Sequence, residues 1–431
     1  MKLSERDLLV NWHPYTQMKE LAPVISIIKG EGAYLYDEEG NQYLDAISSW
    51  WVNTHGHAHP HIAKAVCEQV KTLEHVIFAG FTHPKAVELS ERLLKALPNN
   101  MERVFYSDNG STAVEVAQKM AIQYWGNHGQ PRHCFIAFKD AYHGDTFGAM
   151  SVSGRGAFVK PFEPLLFEVL FIDPPVPGKE EDSIHQLEAI MEKRGSEIAA
   201  FIFEPLVQGA AGMVMHSAAA LDGLIALCHD NQVLAIADEV MTGFGRTGRF
   251  LATDHCEQRP DIICLSKGIT GGTMALSATV CTQNVYEAFL SDDKGKTFFH
   301  GHSYTANPVA CAAACASMDL FDKTETWRSI ERIGEKHKEF LDSVKDHGGI
   351  RNIRQQGTIL AIELETGDAS SYFNTRRDEI YGFFMEKKLI LRPLGNVVYI
   401  LPPYCISDED LDTVYGAITE LLNTFFPDAG K

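Results

Sequence analysis

The sequence has no basic cluster, no long apolar run and no paired cysteine motif, and each absence removes a class of function. Acidic residues outnumber basic ones 57 to 38, a net charge of −19 at neutral pH. With that field, nucleic acid and anionic membrane surfaces are poor partners. No run of about 18 apolar residues occurs, so a membrane-spanning helix is not expected. The opening Met1-Lys-Leu-Ser-Glu-Arg-Asp7 lacks the apolar stretch of a secretory signal, and the expectation is a cytoplasmic protein. The nine cysteines are odd in number and form no C-x-x-C pair, which argues against a disulfide framework or a zinc ribbon. They read as small buried residues. Cys311 and Cys315, one helical turn apart in an alanine-rich stretch, would share a packed face.

What remains is the composition of an ordinary folded protein. The 431 residues, 45% hydrophobic and 22% charged, are enough for two or three domains and a large core. One motif invites a metal: His55-Gly-His-Ala-His-Pro-His61 would set four imidazoles on one side of an extended strand. Gly56 and Pro60 break such a strand, however, and a helical pattern (Ile62, Ala63, Val66, Val70) begins at once. A loop and a helix start are therefore expected, with no metal site.

From about residue 100 to 320, strand-like and helix-like segments alternate as a doubly wound α/β sheet requires. Arg103-Val-Phe-Tyr106, His133-Cys-Phe-Ile-Ala-Phe138 and Ile198-Ala-Ala-Phe-Ile-Phe203 are of strand type, the last running into Glu204-Pro205. Residues 171 to 185, rich in proline and acid, suit an exposed excursion. Beyond about residue 320 the pattern changes. Thr324 to Val344 reads as a long charged helix, Gly357 to Leu364 and Val397 to Leu401 as strands, and Asp408 to Phe425 as a closing helix. Together they make a separate α+β unit.

Two apolar runs stop on charges. Val233-Leu-Ala-Ile-Ala237 runs into Asp238-Glu239, and Ile262-Ile-Cys-Leu265 into Ser266-Lys267. Such runs are buried strands of a parallel sheet, and the charged residue at the end of each stands at the sheet's carboxyl edge, where ligands of open α/β sheets bind. A lysine there loses water and is readily held as a neutral amine, the nucleophile that condenses with an aldehyde. Pyridoxal phosphate is such an aldehyde, and a carboxylate such as Asp238 would keep its pyridine nitrogen protonated. Either residue alone would pass for an ordinary solubilising strand end. As a pair at one edge they are candidates for one site.

Asp108-Asn-Gly110-Ser111-Thr112 opens a helix whose apolar residues fall at Val114, Ala117, Met120, Ala121, Tyr124 and Trp125. Free amides, a glycine and a serine hydroxyl at a helix start suit a phosphate, although a plain helix cap has the same outline. Tyr142, just after the second strand, could cover a flat cofactor ring or pack in the core.

Phosphate turn, aromatic, strand-end Asp and strand-end Lys, in that order, resemble the class III (ω-type) aminotransferases of the fold-type I pyridoxal-phosphate enzymes. The resemblance spans nearly the whole chain. Its most specific stretches are Ala237-Asp-Glu-Val-Met-Thr-Gly-Phe-Gly-Arg-Thr-Gly248 and Leu265-Ser-Lys-Gly-Ile-Thr-Gly-Gly272. Further stretches are Trp12-His-Pro-Tyr-Thr16, Ser48-Ser-Trp-Trp51, Tyr142-His-Gly-Asp-Thr-Phe-Gly-Ala-Met-Ser151, Gly271-Gly-Thr-Met-Ala-Leu-Ser-Ala278, Leu391-Arg-Pro393 and Leu401-Pro-Pro-Tyr404. They are similar to the branch that moves an amino group from S-adenosylmethionine to 8-amino-7-oxononanoate, making 7,8-diaminononanoate for biotin.

That resemblance implies a fold-type I architecture: a large pyridoxal-phosphate-binding domain over 55–320 with a mostly parallel doubly wound sheet, and a smaller α+β domain built from 1–54 and 321–431. It also implies a homodimer. Lys267 would hold the cofactor and, once displaced by substrate, move a proton between the substrate carbon and the cofactor's C4′. Asp238 would pair with the pyridinium, Gly110 and Ser111 would bind the phosphate, and Tyr142 would lie over the ring. Glu204 would support the cofactor's hydroxyl edge or steady Asp238. Tyr15, Trp50 and Arg392 match positions that hold substrate beside Tyr142 and Lys267, with Arg392 clamping the acceptor's carboxylate. Gly301, His302 and Ser303 match a loop that reaches across a dimer interface to the partner's phosphate. The best-known members of the branch have Gly-Pro-Thr there, but Ser303 still offers a hydroxyl. Lysine as amino donor is an open alternative. So is another class III enzyme acting on ornithine, 4-aminobutyrate or β-alanine, against which Arg392-Pro393 and Trp12-His-Pro-Tyr15 speak. A pyridoxal-phosphate-binding regulator that senses the cofactor without turnover is a further alternative, against which the absence of a DNA-binding extension and the acidic charge speak, and a racemase or aminomutase on the same fold stays open.

Overall fold

The computed structural model describes residues 1–21, 24–156, 158–368 and 373–427. Its centre is a seven-stranded sheet: β1 (Met101–Ser107), β2 (Cys134–Phe138), β3 (Val169–Ile172), β4 (Ile198–Phe203), β5 (Leu234–Asp238), β6 (Ile262–Leu265) and β7 (Ser277–Thr282). The spatial order is β1-β7-β6-β5-β4-β2-β3, with every pairing parallel except the two made by β7. Strands β2, β4, β5 and β6 are buried along their whole length. Helices on both faces of a parallel sheet demand that, which is why these strands read as unbroken apolar runs.

Order and direction fix where a ligand can sit. From β2 the chain moves outward to β3, returns to β4, and then steps the other way through β5 and β6 to β7. The connections therefore diverge between β2 and β4, and a crevice opens outside the carboxyl ends of those strands. Strand β7 slots antiparallel between β1 and β6, a placement that the strand and helix alternation did not foretell. The connection from β5 to β6 carries only a short 3-10 turn, Ala252–His255. The proline- and acid-rich stretch at 171–185 is less of an excursion than expected. Phe171 and Ile172 finish β3, and a helix runs from Glu180–Arg194 with three acids in its first turn, where the positive end of the helix dipole favours them.

The two ends of the chain meet. Ile27–Glu31, Tyr34–Asp37 and Gln42–Asp45 form an antiparallel sheet to which Leu389–Ile390 adds in parallel. Ile350–Gln356, Ile359–Leu364 and Val397–Ile400 form another antiparallel sheet. The helix Thr324–Val344 buries Ile330, Ile333, His337, Phe340 and Val344, a stripe at helical spacing. Phe340 stacks on Tyr415 of the closing helix Asp408–Phe425, ring centroids 4.4 Å apart.

The histidine run forms a loop and the start of the helix Pro60–Thr72; the His55 and His59 rings stay edge to face with centroids 6.2 Å apart, while His55, His57 and His61 take different hydrogen-bond partners. His55 bonds Ser317 Oγ at 3.2 Å, His57 pairs with Asp45 at 2.8 Å and His61 with Asp319 at 2.7 Å. Cys311 and Cys315 are both buried in the helix Pro308–Phe321. No helix among the described residues is long and apolar enough to cross a membrane.

Candidate active site

Five strand ends converge on one cavity of about 430 Å³, lined among others by Gly110, Ser111, Tyr142, Glu204, Asp238 and Lys267. Six of the residues singled out from the sequence are thus brought together.

After β1, Asn109 caps the helix Gly110–Asn127. Its side-chain oxygen accepts from Thr112 N at 3.1 Å, and Thr112 Oγ1 accepts from Asn109 N at 3.1 Å. The plain-cap reading therefore holds, yet it leaves the amides of Gly110 and Ser111 without an intrahelical acceptor at the cavity wall. A β-carbon on Gly110 would lie 2.8 Å from Val240 Cγ1, so only glycine fits there.

After β2, Tyr142 N donates to Glu204 Oε1 at 3.0 Å. The Tyr142 hydroxyl donates to Asp145 Oδ2 at 3.0 Å and lies 3.2 Å from the Tyr15 hydroxyl, which itself donates to Asp145 Oδ2 at 2.5 Å. Asp145 N donates to Ser111 Oγ at 3.2 Å. The close approach needs Gly144, whose φ is +130° and whose place a β-carbon would make overlap Ser111 Oγ.

At the ends of β4 and β5 sit two buried carboxylates. Asp238 Oδ2 meets His143 Nδ1 at 2.7 Å, and its Oδ1 accepts from Val240 N at 3.1 Å. Both Asp238 and His143 are buried. Glu204 accepts from Tyr142 N and, through Oε2, from Gly209 N at 2.9 Å. Burial nonetheless pushes its carboxyl up to about 7, because desolvation outweighs the two amides and the nearby His143.

Lys267 opens a single 3-10 turn after β6 with φ at +47°, in the left-handed region that a side chain rarely adopts. Its ammonium makes no hydrogen bond to any described residue and lies 4.6 Å from the centroid of the Trp51 ring. By accessible surface Lys267 is half-buried, because the cavity opens onto it. Protein still crowds the amine enough that desolvation brings it from 10.5 down to about 8, against the upward pull of Asp238 and Glu204.

Three more of the singled-out residues form a rim. The Tyr15 and Trp50 rings meet edge to face at 5.6 Å, and the Arg392 guanidinium lies 5.1 Å over Trp50. Tyr15 and Trp50 are exposed, whereas Trp51 is buried and donates from Nε1 to Tyr399 at 3.0 Å. A second cavity of about 430 Å³ shares Tyr142 and Gly144 with the first and is walled by Phe158, Gln208 and Leu394. Gly301, His302 and Ser303 do not join either cavity. They sit on a loop where Gly301 and Ser303 are exposed, His302 Nδ1 accepts from Tyr304 N and Thr305 Oγ1 accepts from His302 N.

Sequence reasoning assigned no role to His143, Asp145 or Glu239. His143 finds Asp238 across 95 residues, which no local pattern announces. Asp145 lies three residues after the aromatic, and that spacing was its one available signal. Glu239 is fully buried and takes hydrogen bonds from Thr242, Ala252 and Thr253, tying down the connection that leaves β5. Burial pushes its carboxyl up to about 7.

Comparison with known proteins adds a second line of observation. The family model "Aminotransferase class-III" matches residues 15–422. The chain is 46% identical to the adenosylmethionine-8-amino-7-oxononanoate aminotransferase of Synechococcus elongatus, over 96% of this chain and 98% of that one. The crystal structure of the enzyme of the same name from Methanocaldococcus jannaschii superposes with a TM-score of 0.92 at 37% identity, covering 97% of this chain and 98% of that one. An amine transaminase from an uncultivated Pseudomonas species, solved in its PLP-bound form, superposes with a TM-score of 0.89 at 31% identity, covering 95% and 97%.

Proposed function

The chain belongs to the class III aminotransferase family, and on that footing we propose that it transfers an amino group from S-adenosylmethionine to 8-amino-7-oxononanoate, using pyridoxal phosphate held at Lys267. The reaction class is carried by one juxtaposition: an amine with no hydrogen-bond partner among the described residues shares a cavity with the buried carboxylate of Asp238. The substrates are those in the names of relatives up to 46% identical over nearly the whole chain.

The donor set fits the cofactor. A lone amine suits its aldehyde, an acid backed by an imidazole suits its ring nitrogen, and a helix start with Gly110 pressed against Val240 and Ser111 beside it suits its phosphate. Bound there, the cofactor supplies an electron-poor ring that stabilises the charge left when a proton leaves the substrate carbon. Asp238 would hold the proton on the ring nitrogen, and His143 would keep Asp238 in place. Tyr142 would cover the ring and exclude water. Lys267 Nζ, with its proton affinity lowered to about 8, would take and return the proton at the substrate carbon near neutral pH.

Arg392, over Trp50, would receive the acceptor's carboxylate as a charge-assisted pair, while Tyr15 and Trp50 flank its entry. The space behind Tyr142 and Phe158 would take the apolar chain. Gly301, His302 and Ser303 face neither cavity of their own chain, and Phe299 and Tyr304 beside them are strongly exposed. A homodimer in which that loop completes the partner's phosphate site accounts for both features.

Incubating the protein with 8-amino-7-oxononanoate and either S-adenosylmethionine or lysine, and detecting the diamine, tests the proposal. Product with S-adenosylmethionine is expected. Product with lysine alone replaces the donor, and no diamine from either removes the proposal.

A further inference from the structure

The loop that carries Tyr142 and Asp145 has a bond of its own between those two side chains, but its far end is held from outside. It runs into the short helix Phe147–Val152, whose N-cap Thr146 makes no capping bond and keeps a buried hydroxyl without a partner. The first amides of that helix go instead to Glu115, on the helix Gly110–Asn127. Glu115 Oε1 accepts from Gly148 N at 2.7 Å and from Ala149 N at 3.2 Å. The carboxylate lies so close to the loop that a β-carbon on Gly148 would overlap it. One turn further along, Gln118 Nε2 donates to Gly148 O at 3.0 Å. One turn before, Ser111 Oγ accepts from Asp145 N at 3.2 Å. Ser111, Glu115 and Gln118 thus form one stripe of one helix, fastened to the loop at three points.

We propose that Glu115 is a positioning residue that couples the phosphate end of the cofactor site to the loop bearing Tyr142 and Asp145. The inference rests on the proposed function, in which Gly110 and Ser111 receive the phosphate. Because Ser111 Oγ accepts from Asp145 N, its own proton is directed elsewhere, and the cavity is where a phosphate oxygen would accept it. Asp145 in turn gathers the Tyr15 and Tyr142 hydroxyls. Glu115 fixes the distance between the two ends, so loosening it would misaim the Ser111 hydroxyl while leaving Asp238 and Lys267 where they are.

Binding of pyridoxal phosphate and of unphosphorylated pyridoxal to the cofactor-free full chain, monitored by visible absorbance, separates this role from a general loss of structure. Glu115→Ala is expected to narrow the preference for the phosphorylated form about tenfold, the effect of misaligning one well-made hydrogen bond. Glu115→Asp, which keeps the charge but withdraws the oxygens, is expected to narrow it in the same direction. Glu115→Gln keeps an acceptor in place and should restore the wild-type ratio. Equal weakening of both ligands, or an unchanged ratio in Glu115→Ala and Glu115→Asp, would overturn the coupling. A wild-type chain that binds neither ligand would instead sink the cofactor reading itself, and this inference with it.

Discussion

Replacing Lys267 by Met should make the cofactor-free protein more stable while abolishing transamination. The lysine amine sits against the Trp51 ring without a hydrogen bond to any described residue, and desolvation brings it from 10.5 to about 8. A fall of that size corresponds to about 3 kcal/mol of preference for the neutral amine. Water in the cavity reaches the half-buried side chain, and the discounted cost of holding the cation is roughly 1–2 kcal/mol. Methionine is unbranched and apolar, fills similar space against Trp51, and keeps the same positive φ, so the comparison isolates the charge. The sign comes from proton binding. Between about pH 8 and 10.5 the unfolded chain holds the lysine proton and the folded chain has lost it, so wild type gains stability as pH rises through that window. The variant has nothing to gain there. Urea unfolding of both cofactor-free proteins at pH 7, 8, 9 and 10.5, monitored by tryptophan fluorescence, should show a gap that is largest at pH 7 and closes by the highest pH. A variant less stable than wild type at pH 7, or a gap that ignores pH, would refute the reasoning.

Asp238→Asn should still take up pyridoxal phosphate yet turn over at least about a hundredfold more slowly, as expected when a preorganised charge is lost, and single-turnover absorbance measurements would show it. Arg392→Ala should raise KM for the acceptor by about 10- to 100-fold through loss of a charge-assisted pair, with the donor's KM nearly unchanged in steady-state assays. Glu204→Gln should alter the pH profile of stability. The folded Glu204 carboxyl keeps its proton up to about 7 whereas the unfolded one releases it near 4.5, so its contribution falls as pH rises across that interval. Thermal midpoints of the cofactor-free proteins should therefore diverge from pH 4.5 to 7, in favour of the variant, and run parallel above.

The strand ends were the legible part of this site. A buried parallel strand must be apolar throughout, so the residue at which the run breaks is visible in sequence; Asp238 and Glu204 are such breaks, and Lys267 directly follows one at Ser266. The helix start at Gly110 was legible for a similar reason, since capping has a local grammar. Strand β7 was not, because its partners β1 and β6 set its antiparallel direction and its own residues do not announce it. Contacts made at long range were illegible too: His143 on Asp238, Trp51 on Lys267 and Glu115 on the Gly148 amide join elements whose separation carries no period.

Two carboxylates at neighbouring strand ends pull the Lys267 amine toward its charged form, while the proposed chemistry needs it neutral for part of each cycle. Desolvation outweighs that pull and makes the proton easier to lose, although near neutral pH the amine still carries it most of the time. Asp238 spends its oxygens on His143 and Val240, and Lys267 faces the Trp51 ring with no hydrogen-bond acceptor among the described residues. Glu204 is itself driven up to about 7, so near neutral pH it carries only part of its charge. Burial thus acts on acid and base together, weakening the ion pair from both sides. Glu204→Gln, which removes the remaining charge, should therefore lower the proton affinity of Lys267 further, and the pH at which the cofactor-free protein reacts with an aldehyde probe should fall with it. If that pH stays where it is in wild type, Glu204 does not act on the lysine at all.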